Sequence, residues 1–133
     1  MFTCLTSCRK DILVPDTNFK NLFGRWTWIE SSGGFSGHTI NPNTENYSLT
    51  AEYKSNGVYK KFKDGKKITK QTFSFQESES IYSVNEEYLI EYSEGRLSKK
   101  LVIPHSFEFI GPDTLILKDE CYDCYIHIYV KEK

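Results

Sequence analysis

The sequence predicts an all-β fold, an up-and-down antiparallel β-barrel of about eight strands. Apolar residues recur at every second position from Leu22 onward, and turn signals follow one another at short intervals. No stretch of useful length has the 3.6-residue period of an amphipathic helix. Short strands joined by hairpins form a meander, and we expect so long a meander to close because closure removes unpaired strand edges.

Length and composition limit the classes of protein to consider. The chain has 133 residues and a formal net charge of -1, which fits one domain with no nucleic acid partner, because phosphate binding needs a basic excess. No apolar run reaches the roughly 18–20 residues of a membrane-spanning helix. The 2 Trp, 9 Tyr and 9 Phe make an unusually aromatic chain, which argues against disorder.

The first strand is predicted over Leu22–Ser31. Its even positions form one face and its odd positions the other, as in any pleated strand. The even face carries Leu22, Gly24, Trp26 and Trp28, and the odd face carries Phe23, Arg25, Thr27 and Ile29.

A long connection, Ser32–Asn46, follows this strand. It contains three Gly and a Pro, and loops of this length inside a compact domain are usually functional or disordered. One interpretation is a flap over the barrel opening that brings Phe35 and His38 to a ligand. The alternative is an Ω-loop that only spans the opening.

The next strands are separated by two-residue turn signals. Alternation over Tyr47–Tyr53 predicts a half-buried strand, and Val58–Lys63 is a short strand between Asn56-Gly57 and Asp64-Gly65. Both dipeptides favour type I′ turns, in which both central residues have positive φ.

Two further hairpins and a final strand complete the meander. Glu94-Gly95 and Gly111-Pro112-Asp113 are their turn signals. The strands joined in this way are Tyr88–Ser93 with Arg96–Ile103 and Phe107–Ile110 with Thr114–Lys118. The last strand is Tyr125–Val130, where His127 shares a face with Tyr125 and Tyr129.

The segment Phe23-Gly24-Arg25-Trp26 resembles the Gly-x-Trp signature of lipocalins. Together with the Gly-rich loop and the hairpins, it is similar to the small lipocalin-like lipoproteins of bacterial envelopes over about Leu22–Lys131. The resemblance implies that Gly24 allows close packing at the closed end of the barrel and that Trp26 plugs its floor. It also implies that Lys131 replaces the arginine that stacks on this tryptophan in the family.

Residues 1–21 are predicted to be a lipoprotein signal remnant and a polar tether without regular structure, and residues 22–133 the barrel. Leu5-Thr6-Ser7-Cys8 matches a bacterial lipobox, so Cys8 is the candidate lipidation site and the cell envelope the expected location, in the periplasm or at the outer membrane. Only seven residues precede Cys8, which implies a start codon assigned too late or a trimmed sequence. The alternative is a chance match in a cytosolic protein.

Cys121 and Cys124 lie in the turn before the last strand. A disulfide is the expected state in an oxidising compartment, because no helix is predicted there to support thioredoxin-like chemistry. His38, His105 and His127 are far apart in sequence and lack ligand spacing, so we expect no metal and no cofactor.

Six lysines cluster on the second hairpin. They are Lys60, Lys61, Lys63, Lys66, Lys67 and Lys70. We interpret them as a solvated edge, although a polyanion could dock there.

The functional hypothesis is a monomeric barrel that binds a small apolar or amphipathic molecule. The candidate lining residues are Trp28, Phe35, His38, Tyr47, Tyr53, Phe73, Phe75, His127 and Tyr129. The alternative is a barrel filled by its own side chains that serves as an interaction module on the envelope. An enzyme ranks third, because the sequence contains no recognisable nucleophile or acid–base motif.

Overall fold

The computed structural model describes residues 11–34, 37–83, 85–93 and 103–132. These residues form a closed eight-strand antiparallel barrel with one extra short strand, so the predicted fold class is confirmed. The strands are β1 (Gly24–Gly33), β2 (His38–Ile40), β3 (Leu49–Tyr53), β4 (Val58–Lys63), β5 (Lys66–Glu79), β6 (Glu86–Ser93), β7 (His105–Ile110), β8 (Thr114–Asp119) and β9 (Tyr125–Lys131). A 3-10 helix, Thr17–Leu22, precedes β1, and the four-residue helix α1, Pro42–Glu45, follows β2.

The barrel closes between its first and last strands. Each strand from β3 to β8 pairs with its successor, and β1 pairs with β3 on one side and β9 on the other. The β1–β9 register joins Trp26 to Lys131 and Ser31 to His127. Of the predicted hairpins, the one at Gly111-Pro112-Asp113 joins β7 to β8 as expected, whereas Glu94-Gly95 lies outside the described residues.

A β-bulge in β1 changes which residues face the interior. Trp26 and Trp28 are buried, as the predicted alternation requires. Between Trp28 and Glu30 the register with β9 shifts by one residue, so the interior positions become odd-numbered. Ser31 is therefore buried at 3% exposure, and β1 continues to Gly33 instead of ending at Ser31.

The segment predicted as a flap is largely built into the sheet. β2 pairs with the end of β1, with Gly33 opposite His38. Asn41 caps α1, since its side chain accepts hydrogen bonds from the backbone N–H groups of Asn43 and Thr44. Phe35 lies outside the described residues. A paired strand and a capped helix therefore replace much of the expected loop.

The two type I′ turn predictions, at Asn56-Gly57 and Asp64-Gly65, differ in outcome. Asp64 and Gly65 both have positive φ, of 51° and 83°, as a type I′ turn requires. The type I′ prediction is wrong for Asn56-Gly57, where only Gly57 has positive φ. The Gly57 N–H donates to the Lys54 carbonyl at 2.9 Å, which makes a longer loop that ends in a left-handed glycine.

The expectation of an unstructured tether is wrong for residues 17–21, which form a 3-10 helix together with Leu22, so the first strand begins at Gly24 and not at Leu22. The Asp16 side chain accepts a hydrogen bond from the Asn18 N–H and caps the 3-10 helix. On this helix the Phe19 ring contacts Phe75 and Phe107, with centroids 5.2 and 4.9 Å away. Residues 1–10, including Cys8, lie outside the described residues. Within the described part of the chain, no helix is long and apolar enough to cross a bilayer.

The closed end of the barrel is the end at which β1 begins and β9 finishes. Trp26 is fully buried there, and its indole N–H donates to the Leu22 carbonyl at 2.8 Å. The Lys131 ammonium lies 5.0 Å from the centroid of the Trp26 ring, the cation–π contact that the resemblance implies. Gly24 has a φ of 135°, and a Cβ there would lie 3.0 Å from Lys131 Cε. This position therefore requires glycine.

Candidate functional site

A cavity of about 190 Å³ opens at the other end of the barrel, where β1 ends and β9 begins. It is lined by Trp28, Ser31, Ile40, Tyr47, Leu49, Lys61, Tyr125, His127 and Tyr129. Trp28 and Tyr47 are stacked with centroids 5.8 Å apart and form an aromatic wall. Three larger depressions are more open to solvent. Two, of about 620 and 640 Å³, lie near the closed end, and one of about 310 Å³ lies beside the turn that contains Cys121 and Cys124.

Four of the predicted ligand-binding residues line this cavity, namely Trp28, Tyr47, His127 and Tyr129. Tyr53, Phe73 and Phe75 do not line it, because they are buried in the core, where their rings pack against one another. His38 is also absent from the lining, since it is exposed on β2. Alternation identifies the interior face, but it does not tell which interior residues border empty space.

Sequence analysis missed Lys61, the cationic member of the lining. It was grouped with the solvated lysines, yet it lies opposite Ala51 on the interior face of β4. The signal was present in the alternation of β4, because Tyr59 is buried and Lys61 is two residues further along. In the described part of the chain, no carboxylate lies within ion-pair distance of Lys61.

Beside the cavity, three side chains meet that are distant in sequence. Asp119 Oδ1 lies 2.9 Å from His105 Nε2 and 3.0 Å from His127 Nε2. We call these residues the His–Asp–His cluster. His105 and Asp119 are directly opposite on β7 and β8, and His127 is on β9, opposite Leu117. Their strands are neighbours in the sheet, which is why sequence spacing could not reveal the cluster.

Hydroxyl groups hold the outer nitrogen of each imidazole. Ser31 Oγ lies 2.5 Å from His127 Nδ1 and accepts a hydrogen bond from the Trp28 indole N–H at 2.8 Å. Tyr92 OH lies 2.7 Å from His105 Nδ1 and 2.7 Å from the Tyr53 hydroxyl. The network therefore runs from the aromatic wall through the cluster and into the core.

The donors and acceptors of this network can all be satisfied with two neutral histidines. Each imidazole donates a hydrogen bond from Nε2 to the Asp119 carboxylate and accepts a hydrogen bond from a hydroxyl group at Nδ1. The second oxygen of Asp119 accepts from the Tyr125 N–H at 3.1 Å. The assignment leaves none of these polar atoms unpaired.

Burial and hydrogen bonding shift the ionisation of these groups. Burial opposes the charged form of Asp119, but hydrogen bonds from both histidines outweigh it and hold the pKa of this carboxyl well below its usual range. Burial lowers the pKa of His105, and Asp119 only partly offsets this effect. Burial also lowers the pKa of Lys61, again with partial compensation from Asp119.

Hydrogen bonds link a serine, a histidine and an aspartate in the order of a hydrolytic triad, namely Ser31, His127 and Asp119. Their geometry nevertheless favours a structural role. In a triad the serine must be free to attack a substrate. Here Ser31 Oγ is almost fully buried and already accepts the Trp28 indole N–H. The arrangement fixes the orientation of His127 beside the cavity.

Cys121 and Cys124 form a disulfide across the turn that leads into β9, with Cα atoms 5.7 Å apart. The turn directly follows Asp119 and Glu120 and precedes Tyr125, which lines the cavity. It therefore ties together the ends of the two strands that carry Asp119 and His127.

Comparison of the chain with family models, curated proteins and solved structures finds no match.

Proposed function

We propose that this protein binds one small amphipathic molecule that carries an anionic group, in the cavity at the open end of the barrel. The observation that carries the proposal is the pairing of an aromatic wall with an interior cation. Trp28 and Tyr47 supply the apolar wall, and Lys61 supplies the charge.

The size of the cavity favours a small ligand over a long acyl chain. Its volume of about 190 Å³ is roughly six times the liquid volume of one water molecule. Pockets for drug-sized ligands run from about 300 to 1,000 Å³. The buried rings of Tyr53, Phe73 and Phe75 occupy the interior beyond the cavity, so a long chain has no space to extend into.

The charge of Lys61 favours an anionic ligand over a neutral one. The ammonium is half-buried and lacks an ion-pair partner among the described residues, so part of its desolvation is uncompensated. A carboxylate at this position would complete an ion pair in a partly dry environment. His127 and Ser31 border the same space, but their donors are engaged within the network, so Lys61 is the group that would meet the anion.

Tryptophan fluorescence can test this proposal, because Trp28 lines the cavity and Trp26 does not. The Trp26→Phe variant keeps Trp28 as the sole tryptophan, next to the cavity. Titration with benzoate, phenylacetate and hexanoate, in the presence of EDTA, should change its emission saturably for at least one of them. Benzyl alcohol, the neutral partner of benzoate, should bind at least tenfold more weakly, and laurate should not bind.

Lys61→Met should weaken carboxylate binding about tenfold, which corresponds to about 1.4 kcal/mol. Lys60→Met is the matched control, because Lys60 is the adjacent residue on the outer face of β4, and it should leave binding unchanged. If none of the three carboxylates changes Trp28 emission, the proposal is wrong and the filled-barrel interaction module becomes the better account. The filled interior beyond the cavity is the observation that favours that alternative.

We further propose that the protein acts by binding without catalysis, and that lipidation of Cys8 attaches it to the bacterial envelope. The lipobox at Leu5–Cys8 supports the anchor. Palmitate labelling of the full gene product should be positive and should disappear with Cys8→Ala. An unlabelled wild-type protein would contradict the anchor but leave the ligand proposal intact.

A further inference from the structure

The His–Asp–His cluster brings three metal-ligating atoms to one point. A nitrogen of His105, a nitrogen of His127 and a carboxylate oxygen of Asp119 all lie within 4.8 Å of one another. Two imidazoles and one carboxylate form a ligand set that divalent transition metals favour, and it leaves positions open for water or an exogenous ligand. All three residues are on adjacent paired strands, which fix their relative positions.

The surroundings of the two imidazoles match those of metal-bound histidines. A ligating imidazole normally donates its other N–H to a hydrogen-bond acceptor, which fixes the ring orientation. Ser31 Oγ and Tyr92 OH are in this position at His127 Nδ1 and His105 Nδ1. Because a hydroxyl can donate or accept, each ring can move its proton from Nε2 to Nδ1 without a change of side-chain position.

A metal ion could also reach the cluster from solvent. The side chains of His105 and Asp119 are each 18% exposed, and that of His127 is 24% exposed. His127 also borders the cavity.

From this geometry we propose that His105, Asp119 and His127 bind one divalent transition-metal ion, through Nε2 of each histidine and the carboxylate of Asp119. The site is independent of the proposed anionic ligand, although it adjoins the same cavity. Zinc is the appropriate probe for affinity, since it accepts mixed nitrogen and oxygen ligands. Cobalt is the spectroscopic probe.

Substitution of Lys61 can distinguish a metal ion bound at this site from one bound elsewhere on the protein. Its positive charge interacts with both Asp119 and His105, so it opposes a cation bound between them. Lys61→Met should therefore strengthen zinc binding several-fold, whereas the same variant should weaken carboxylate binding. Lys60→Met should change neither. The two proposals can thus fail separately.

Calorimetric titration of the full chain tests the site directly. The protein should carry Cys4→Ser and Cys8→Ser, which removes the thiols outside the Cys121–Cys124 disulfide. We expect one equivalent of zinc to bind, and cobalt to give ligand-field absorption in the visible range. Asp119→Asn and His127→Gln should each weaken binding at least tenfold, while His38→Gln, at the exposed third histidine, should bind as the parent does.

Nitrogen NMR of the histidine rings gives a readout that does not depend on the folding of variants. In the metal-free protein both His105 and His127 should carry the proton on Nε2, and addition of zinc should move it to Nδ1 in both rings. His38 should keep its spectrum. The proposal is overturned if zinc leaves the two tautomers unchanged, or if one-to-one binding persists in both Asp119→Asn and His127→Gln.

Discussion

The two ends of the barrel are built on the same alternating strands but differ in what those strands place inside. At the closed end, the interior positions carry Leu22, Trp26 and Phe109, and the Trp26 and Phe109 rings stack with centroids 6.2 Å apart. At the open end, equivalent positions carry Ser31, Lys61 and His127, and a cavity lies between them.

This difference shows how one architecture separates stability from binding. Apolar rings can fill the space between strands completely, because they need no partners beyond close contact. Polar groups must keep a hydrogen-bonding geometry, so they leave space that a ligand or an ion can enter. The closed end therefore supports the fold, and the open end is free to carry function.

The largest expected effect is unfolding at alkaline pH, which depends on the buried tyrosines between the two ends of the barrel. Burial raises the pKa of Tyr53, Tyr59, Tyr92 and Tyr129. Above pH 10 the unfolded chain loses these protons while the folded chain keeps them, so stability falls as the pH rises. Near pH 11 each of these tyrosines lowers the free energy of unfolding by about 1.4 kcal/mol. The rise in phenolate absorbance from these four tyrosines, beyond that of the exposed ones, should coincide with the change in tryptophan emission.

The alkaline prediction has a matched pair of controls. Tyr53→Phe removes one of the buried ionisations and should move the alkaline midpoint to higher pH. Tyr122→Phe, at a residue that is 81% exposed, should leave the midpoint unchanged. Equal alkaline midpoints for Tyr53→Phe and Tyr122→Phe would contradict the destabilising role of the buried tyrosines.

Replacing a tryptophan by alanine should cost more at the closed end than at the open end. Trp26→Ala should lower the free energy of unfolding by about 5 kcal/mol, because the site is tightly packed and cannot collapse. Trp28→Ala should cost about 3 kcal/mol, since this ring already borders a cavity. Urea denaturation measures both. Equal losses would remove the distinction between the two ends.

Asp119→Asn should lower the stability of the metal-free protein by about 1–3 kcal/mol, because an amide cannot accept both imidazole N–H groups equally well. Glu108→Gln, on the adjacent strand, is the control. Its carboxylate is exposed and forms only a surface ion pair with Lys118, at 3.6 Å, so its loss should cost less than about 1 kcal/mol. A smaller loss for Asp119→Asn than for this control would contradict the role of the network.

Lys131→Met should have the smallest effect of the four, about 1 kcal/mol in thermal or urea unfolding. The variant removes the cation over the Trp26 ring and the hydrogen bond from Lys131 Nζ to the Asn21 carbonyl, at 2.8 Å. Lys131→Arg keeps the charge over the ring and should recover most of the stability. If methionine is tolerated as well as arginine, the contact is only apolar packing.

Most of the fold was predictable because it depends on local, periodic features. Alternation located the strands, and positive-φ turn chemistry at Asp64-Gly65 located a hairpin. The prediction failed where one extra residue in a strand shifted the inside–outside alternation, and where a short segment is held in place by packing against the barrel. The bulge after Trp28 placed Ser31 inside, and the 3-10 helix around Phe19 depends on packing against the barrel.

The candidate site was predictable only in part. Trp28, Tyr47, His127 and Tyr129 were identified because they lie on the interior faces of predicted strands. Lys61 was misinterpreted, because composition made it one of a group of lysines. His105 and Asp119 were not candidates, since nothing in their sequence spacing relates them to His127.

The sequence alone determined that this chain forms an antiparallel barrel with an aromatic interior, because strand period and turn chemistry act between near neighbours. The tertiary structure decided which part of that interior is filled and which is open. It also decided that two histidines and an aspartate meet, since strand register and closure bring together residues that are far apart along the chain. Cavities and ligand clusters are properties of packing between strands, which no single strand encodes.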